Sequence, residues 1–214
     1  MTVEITSFRA KGDDEIAVTF KTSEGDNVCF DTFVISNGRF VSMRLTKGLS
    51  SSDVYDSVAH YEKVHSACKR ALLALSYGIC SRKKLISKLR MKGISSDIAE
   101  EAVAEIERKG YLDDAASAAR EAERCVAKKW GARRISAALY QKGYDGEAVK
   151  RALYALEDSG VDFAENCAEL IRAKWGELPD DPNERGKLYA SMMRYGYSSS
   201  EINSAMDILK NDNE

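Results

Sequence analysis

Two runs of cations carry the clearest chemical signal in this chain. The first is Arg82, Lys83, Lys84, Lys88, Arg90 and Lys92, and the second is Lys128, Lys129, Arg133, Arg134 and Lys142. Leu85 and Leu89, inside the first run, are four residues apart. That spacing puts both leucines on one face of a helix and the cations around it. Side by side, two such helices make a basic stripe able to reach phosphate or an acidic protein face. The plainer alternative is a solvated helix face, which the same spacing also produces. The candidate partner-binding residues are Arg82, Lys83, Lys84, Lys88, Lys92, Lys129, Arg133, Arg134 and Lys142.

Catalytic chemistry has thinner material. His60 and His65 stand five apart with no nucleophile beside them in sequence. Asp113-Asp114 could be read as a carboxylate pair, but adjacent acids at a helix start more commonly cap it and meet its dipole. There is no GxxxxGK[ST], GxGxxG or HExxH pattern. The five cysteines, Cys29, Cys68, Cys80, Cys125 and Cys167, are odd in number and form no CxxC pair. Neither a disulfide framework nor a zinc site is therefore expected. Cys68, Cys125 and Cys167 lie among small and apolar residues, where a reduced cysteine acts as a small hydrophobe. No catalytic residue, metal ligand or cofactor is expected.

Aromatic residues raise a further choice. Tyr77, Trp130 and Trp175 each precede a glycine (Gly78, Gly131, Gly176). They could stack on nucleic-acid bases, but their matched placement favours packing at a helix end. Tyr111, Tyr140, Tyr144 and Tyr197 read as packing between helical units for the same reason.

Composition narrows the class. A chain of 214 residues holds one or two domains, and its 44% hydrophobic content is enough to bury a core. No apolar run approaches the roughly 18 residues needed to span a bilayer. The opening MTVEITSF lacks the basic-then-apolar pattern of a secretory signal, so the cytosol is the expected compartment. Charge is uneven: −3 over residues 1–60, +5 over 61–110, +1 over 111–161 and −5 over 162–214. A free nucleic-acid binder usually has a larger basic excess. The pattern suits a partner of mixed character, such as a protein–nucleic acid assembly.

The elements that must position these residues repeat. Leu85, Leu89, Gly93, Ala102, Val103 and Ile106 recur as Ile135, Leu139, Gly143, Ala152, Leu153 and Leu156. They return as Leu188, Met192, Gly196, Ala205, Met206 and Leu209. A period of about 50 residues marks stacked supersecondary units. Helices are expected near 62–77, 81–91 and 96–109, then 113–129, 132–141 and 146–158, then 162–175, 183–194 and 199–210. Gly93, Gly143 and Gly196 fall where a left-handed residue closes a helix. Asp113 and Asp162 are placed as N-caps, and Ser198–Glu201 has the form of a capping box. Residues 1–47 instead alternate apolar and polar with period two, in Val3, Ile5, Phe8 and again Ile16, Val18, Phe20. They predict a small antiparallel unit of three to five strands, with a hairpin over Phe33–Leu45 turning at Asn37-Gly38. The fold expected is mainly α: three tandem three-helix repeats (62–110, 111–160 and 161–214) in an elongated, solenoid-like body. The β unit (1–47) precedes them, joined by a linker and short helix (48–61).

Several ordered motifs resemble the RecX family of bacterial regulatory proteins. They are Ala71-Leu72-x-x-Leu75, Ser81-Arg82-x-x-Leu85 and Leu89-x-x-Lys92-Gly93, then Gly110-Tyr111-Leu112-Asp113-Asp114-Ala115. After them come Lys129-Trp130-Gly131-Ala132-Arg133-Arg134-Ile135 and Leu139-x-x-Lys142-Gly143. The resemblance covers residues 62–210, and the β unit is similar to an extension on longer members. It implies a non-enzymatic modulator, usually an inhibitor, of the recombinase RecA. The partner implied is the RecA–single-stranded DNA filament, bound along its helical groove by a monomer, with weak contact to the DNA itself. Recombinase, ATPase and co-protease activities would then be restrained, linking the chain to DNA recombination, repair and the SOS response. Tyr195 stands where the first two copies have lysine, so the third repeat departs from the pattern. A stand-alone nucleic-acid-binding helical protein is the alternative, and a solenoid for an unrelated protein partner a third. Reversing Arg133 and Arg134 to Glu is expected to weaken filament binding while leaving the fold intact.

Overall fold

The alternating apolar residues of the N-terminal segment form a four-stranded antiparallel sheet in the order β3-β2-β1-β4. Its strands are β1 (Thr2–Ala10), β2 (Glu15–Glu24), β3 (Asn27–Ser36) and β4 (Gly48–Ser50). This is a computed structural model, and it describes residues 1–211; the end of the third expected repeat, 212–214, lies outside the described residues. Period-two burial puts Val3, Ile5, Val18, Phe20 and Ile35 on one face, where Val58 of the following helix joins them. Tyr55 completes that face, packing edge-on against Phe20 at 5.2 Å and donating its hydroxyl to Asp31 at 2.9 Å.

Two local expectations fail here. The hairpin over Phe33–Leu45 is absent: β3 runs to Ser36, and Asn37–Met43 is a helix, α1. The Ser36 hydroxyl accepts from the Arg39 N–H and starts that helix, so Asn37-Gly38 is a helical first turn. The short helix near 51–61 and the expected helix 62–77 are one element, α2 (Ser52–Ser76). Nothing between Ser51 and Tyr77 is Gly or Pro, so no residue there breaks the helical pattern.

The remaining helices fall within a residue or two of their expected bounds except at the end of α5. They are α3 (Arg82–Met91), α4 (Ser96–Arg108), α5 (Asp114–Val126), α6 (Ala132–Gln141) and α7 (Gly146–Asp158). α8 (Phe163–Trp175), α9 (Pro182–Tyr195) and α10 (Ser199–Asn211) complete the chain. Side-chain caps account for most of the starts, α4 and α6 excepted. Asp113, Asp145, Asp162 and Asp181 each accept from a backbone N–H in the first turn, and Ser198 and Glu201 make the reciprocal capping box.

The chain folds as two compact units, residues 1–78 with 85–111 and residues 79–84 with 112–214. In the first, the sheet packs on α2, and α2 packs on α4, where the Cys68 thiol meets the Ala102 carbonyl. The second is built on one apolar cluster running through α5 to α10. Ile135, Leu139, Ala152 and Leu156 share that cluster with Leu188, Met192, Ala205 and Leu209. The recurring apolar residues are thus the core, as their spacing requires.

Candidate functional site

The start of α3 is fixed within the second unit. Ser81 is buried, and its hydroxyl donates to the Lys142 carbonyl at 2.6 Å, at the end of α6. Asp114 accepts the Arg82 N–H at 2.8 Å while its neighbour Asp113 accepts from Ala116. The two adjacent acids therefore cap two different helices. The same join recurs one step later. Gly131 and Arg133 donate their N–H groups to the Tyr195 and Gly196 carbonyls, at 2.9 and 3.1 Å, so the start of α6 rests on the end of α9. At each join a carbonyl at the end of one helix, left without an intrahelical partner, accepts from a hydroxyl or N–H at the start of another.

This construction aims some cations outward and engages others internally. Lys83, Lys84 and Arg133 follow the two joins directly and are exposed. No carboxylate lies within ion-pair distance of them among the described residues. Lys129 is turned inward. It takes the left-handed position that ends α5 three residues earlier than expected, and its carbonyl accepts from Tyr197. Its ammonium bonds Asn166 at 2.8 Å and pairs with Glu169. Lys142 pairs with Glu121, a buried carboxylate also held by Arg124 at 3.1 Å.

Arg134 is half-buried and stacks over Trp130 at 4.2 Å and Tyr195 at 5.3 Å, while the Lys174 ammonium also lies 4.8 Å from the Tyr195 ring centre. Tyr195, the departure from the lysine pattern, is thus half of a cation–π stack. Reversal of Arg134 would put a carboxylate where the one cation shared by both rings lies, so the double Arg133/Arg134 reversal is expected to disturb packing at this join as well as binding. Arg82 begins α3 in this unit. Lys88 and Lys92 belong to the first unit, beside Arg70.

The aromatic expectations divide. Tyr144 and Tyr197 are buried, and burial pushes the Tyr144 hydroxyl up to about 12. Tyr77, Tyr111 and Tyr140 are exposed, so packing does not account for them. His65 bonds Glu15 at 2.7 Å and His60 bonds Glu101 at 2.7 Å, each an ordinary polar contact of the first unit. Among the described residues no grouping of three His, Cys, Asp or Glu could hold a metal ion, and no helix is long and apolar enough to cross a membrane.

The class defined by these features is a mainly helical protein whose open positive charge sits at helix ends held by neighbouring helices. The family model described as the RecX third three-helix domain matches residues 161–206. Regulatory protein RecX of Xanthomonas axonopodis pv. citri (strain 306) is 35% identical over 144 residues, 67% of this chain and 87% of that protein. Its namesake in Stenotrophomonas maltophilia (strain R551-3) is 33% identical over 138 residues, 64% of this chain and 83% of the relative. A crystal structure of a regulatory protein RecX aligns with a TM-score of 0.72 at 19% identity, covering 96% of this chain and 99% of the other. That of RecX from Lactobacillus salivarius aligns at 0.61 and 22% identity, over 70% and 97%. The chain belongs to the RecX family of regulatory proteins.

Proposed function

We propose that this chain binds the RecA–single-stranded DNA filament in its helical groove and restrains its recombinase, ATPase and co-protease activities. The observation that carries this reading is the open cation set Lys83, Lys84 and Arg133, each projecting just after a helix start anchored on its neighbour. Unpaired cations carried on an anchored backbone attract an assembly whose surface is part phosphate and part acidic protein. Lys88 and Lys92 add cations of the first unit's own, while Arg82, Lys129, Lys142 and Arg134 shape the surface of the second unit through internal contacts. The tandem three-helix repeats 62–110, 111–160 and 161–214 contribute unequally in this reading. The first two supply the grip, and the third, with net charge −5 over 162–214, supplies support.

The test is a titration of the protein into RecA with ATP and single-stranded DNA, following ATP hydrolysis. The combined Lys83→Glu, Lys84→Glu and Arg133→Glu variant is expected to fold normally and to need at least about tenfold more protein for half-inhibition. Equal inhibition by that variant contradicts the reading. A second reading, direct nucleic-acid binding, draws on the Trp130–Arg134–Tyr195 stack, since aromatic and cationic side chains together hold single strands. Tight, salt-sensitive binding to bare DNA with no effect on RecA would favour it.

A further inference from the structure

The first unit carries an open apolar groove between the C-terminal end of α2 and the later part of α3. Leu73, Ala74 and Tyr77 line one side, with Leu89 and Met91 opposite, around a cavity of about 310 Å³. Tyr77 is 84% exposed, Met91 77% and Leu73 54%. Single exposed apolar residues are ordinary, but three converging on one cavity mark an interaction site. The contrast with the second unit is direct. Trp130 precedes its glycine as Tyr77 precedes Gly78, yet Trp130 lies under the Arg134 guanidinium while Tyr77 is left exposed among the described residues.

Charge specifies what would cover it. Arg70, Lys88 and Lys92 close the rim, with no carboxylate paired to any of them among the described residues. We infer that this groove receives a bulky apolar side chain from a segment of the RecA polypeptide that is flanked by Asp or Glu. The floor would bury the apolar group, and the three rim cations would meet the acids on either side. A nucleobase fits less well. The Arg70, Lys88 and Lys92 donors could meet the acceptor edge of a base, but the Tyr77 hydroxyl is the single side-chain acceptor in the lining, so the donor edge would go largely unmatched.

This inference rests on the filament reading above, and the experiment separates the two. The full chain carrying a photoreactive benzoylphenylalanine in place of Tyr77 is mixed with RecA filaments on labelled single-stranded DNA. Binding is followed by anisotropy before irradiation. The expected product is an adduct to RecA, mapping to a peptide with a large apolar residue between acids. Adding Leu73→Glu, at an exposed position, should abolish the adduct and weaken binding roughly tenfold or more. An adduct to DNA, or none from filament-bound chain, overturns the groove assignment and leaves the filament reading standing. Absence of filament binding by the unmodified chain overturns the filament reading and the groove assignment with it.

Discussion

At the scale of single residues, charge and burial decide which groups stay available. Burial pushes the Cys68 thiol up to about 11 and Cys167 to about 12, and Cys80 and Cys125 are buried too. Cys29 alone of the five is exposed. Native protein is therefore expected to react rapidly with a thiol reagent at one cysteine, and all five should react only after denaturation. A second fast equivalent would contradict the burial of the others. Glu15 makes a different use of its surroundings: hydrogen bonds from Lys69 and then His65 hold its carboxyl below the usual range. A lowered folded value favours the native state above the ordinary Glu pKa, and that contribution disappears as pH falls through the folded value. Glu15→Gln should thus lower the urea midpoint at pH 7, and the gap to the parent chain should close on acidification below about pH 4. A gap that persists at pH 3 would assign the effect to packing instead.

Among elements, the recurring glycine does more than its spacing implies. Gly93 has φ of 81° and open space around it, so only backbone strain opposes a side chain there. Gly196, with φ of 94°, also lies where a Cβ would collide with the backbone and Cβ of Arg134. Gly93→Ala should cost about 1 kcal/mol and Gly196→Ala about 3 kcal/mol, the second from strain and overlap together, read by chemical denaturation. Equal costs would contradict the tight join of α6 on α9. Much of this level was legible in the sequence. The apolar anchors and glycines located α3 to α10 because a helix must bury one face and end somewhere. Most of what escaped depended on partners distant in the chain: Lys129 turned toward Glu169, Lys142 toward Glu121, and Arg134 over the Tyr195 ring carry no periodic mark. The Ser36 cap is local, but Asn37-Gly38 beside it carries the residue types of a hairpin turn. Tyr77 differs for the opposite reason: its position matches Trp130, but among the described residues no cation stacks on it as Arg134 does on Trp130.

For the whole molecule, net charge is a poor guide and its distribution a good one. The sum of −2 conceals the basic stretch 61–110 and the acidic stretch 162–214. Within the second unit Lys83, Lys84 and Arg133 stay open while neighbouring cations are tied internally, and within the first unit Lys88 and Lys92 flank an apolar groove. Cations beside apolar surface suit an assembly of protein and nucleic acid better than DNA alone. Binding should accordingly weaken with salt, but less steeply than for a protein held by phosphate contacts only. A salt slope as steep as that of an ordinary DNA binder would argue for phosphate contact alone. The most direct measurement compares the affinity of the unaltered chain for preformed RecA filaments and for the same single-stranded DNA without RecA, at one physiological salt concentration. Clearly tighter binding to the filament, with loss of ATP hydrolysis over the same concentration range, is the predicted result. Equal affinity for bare DNA, or binding that leaves hydrolysis untouched, would contradict it.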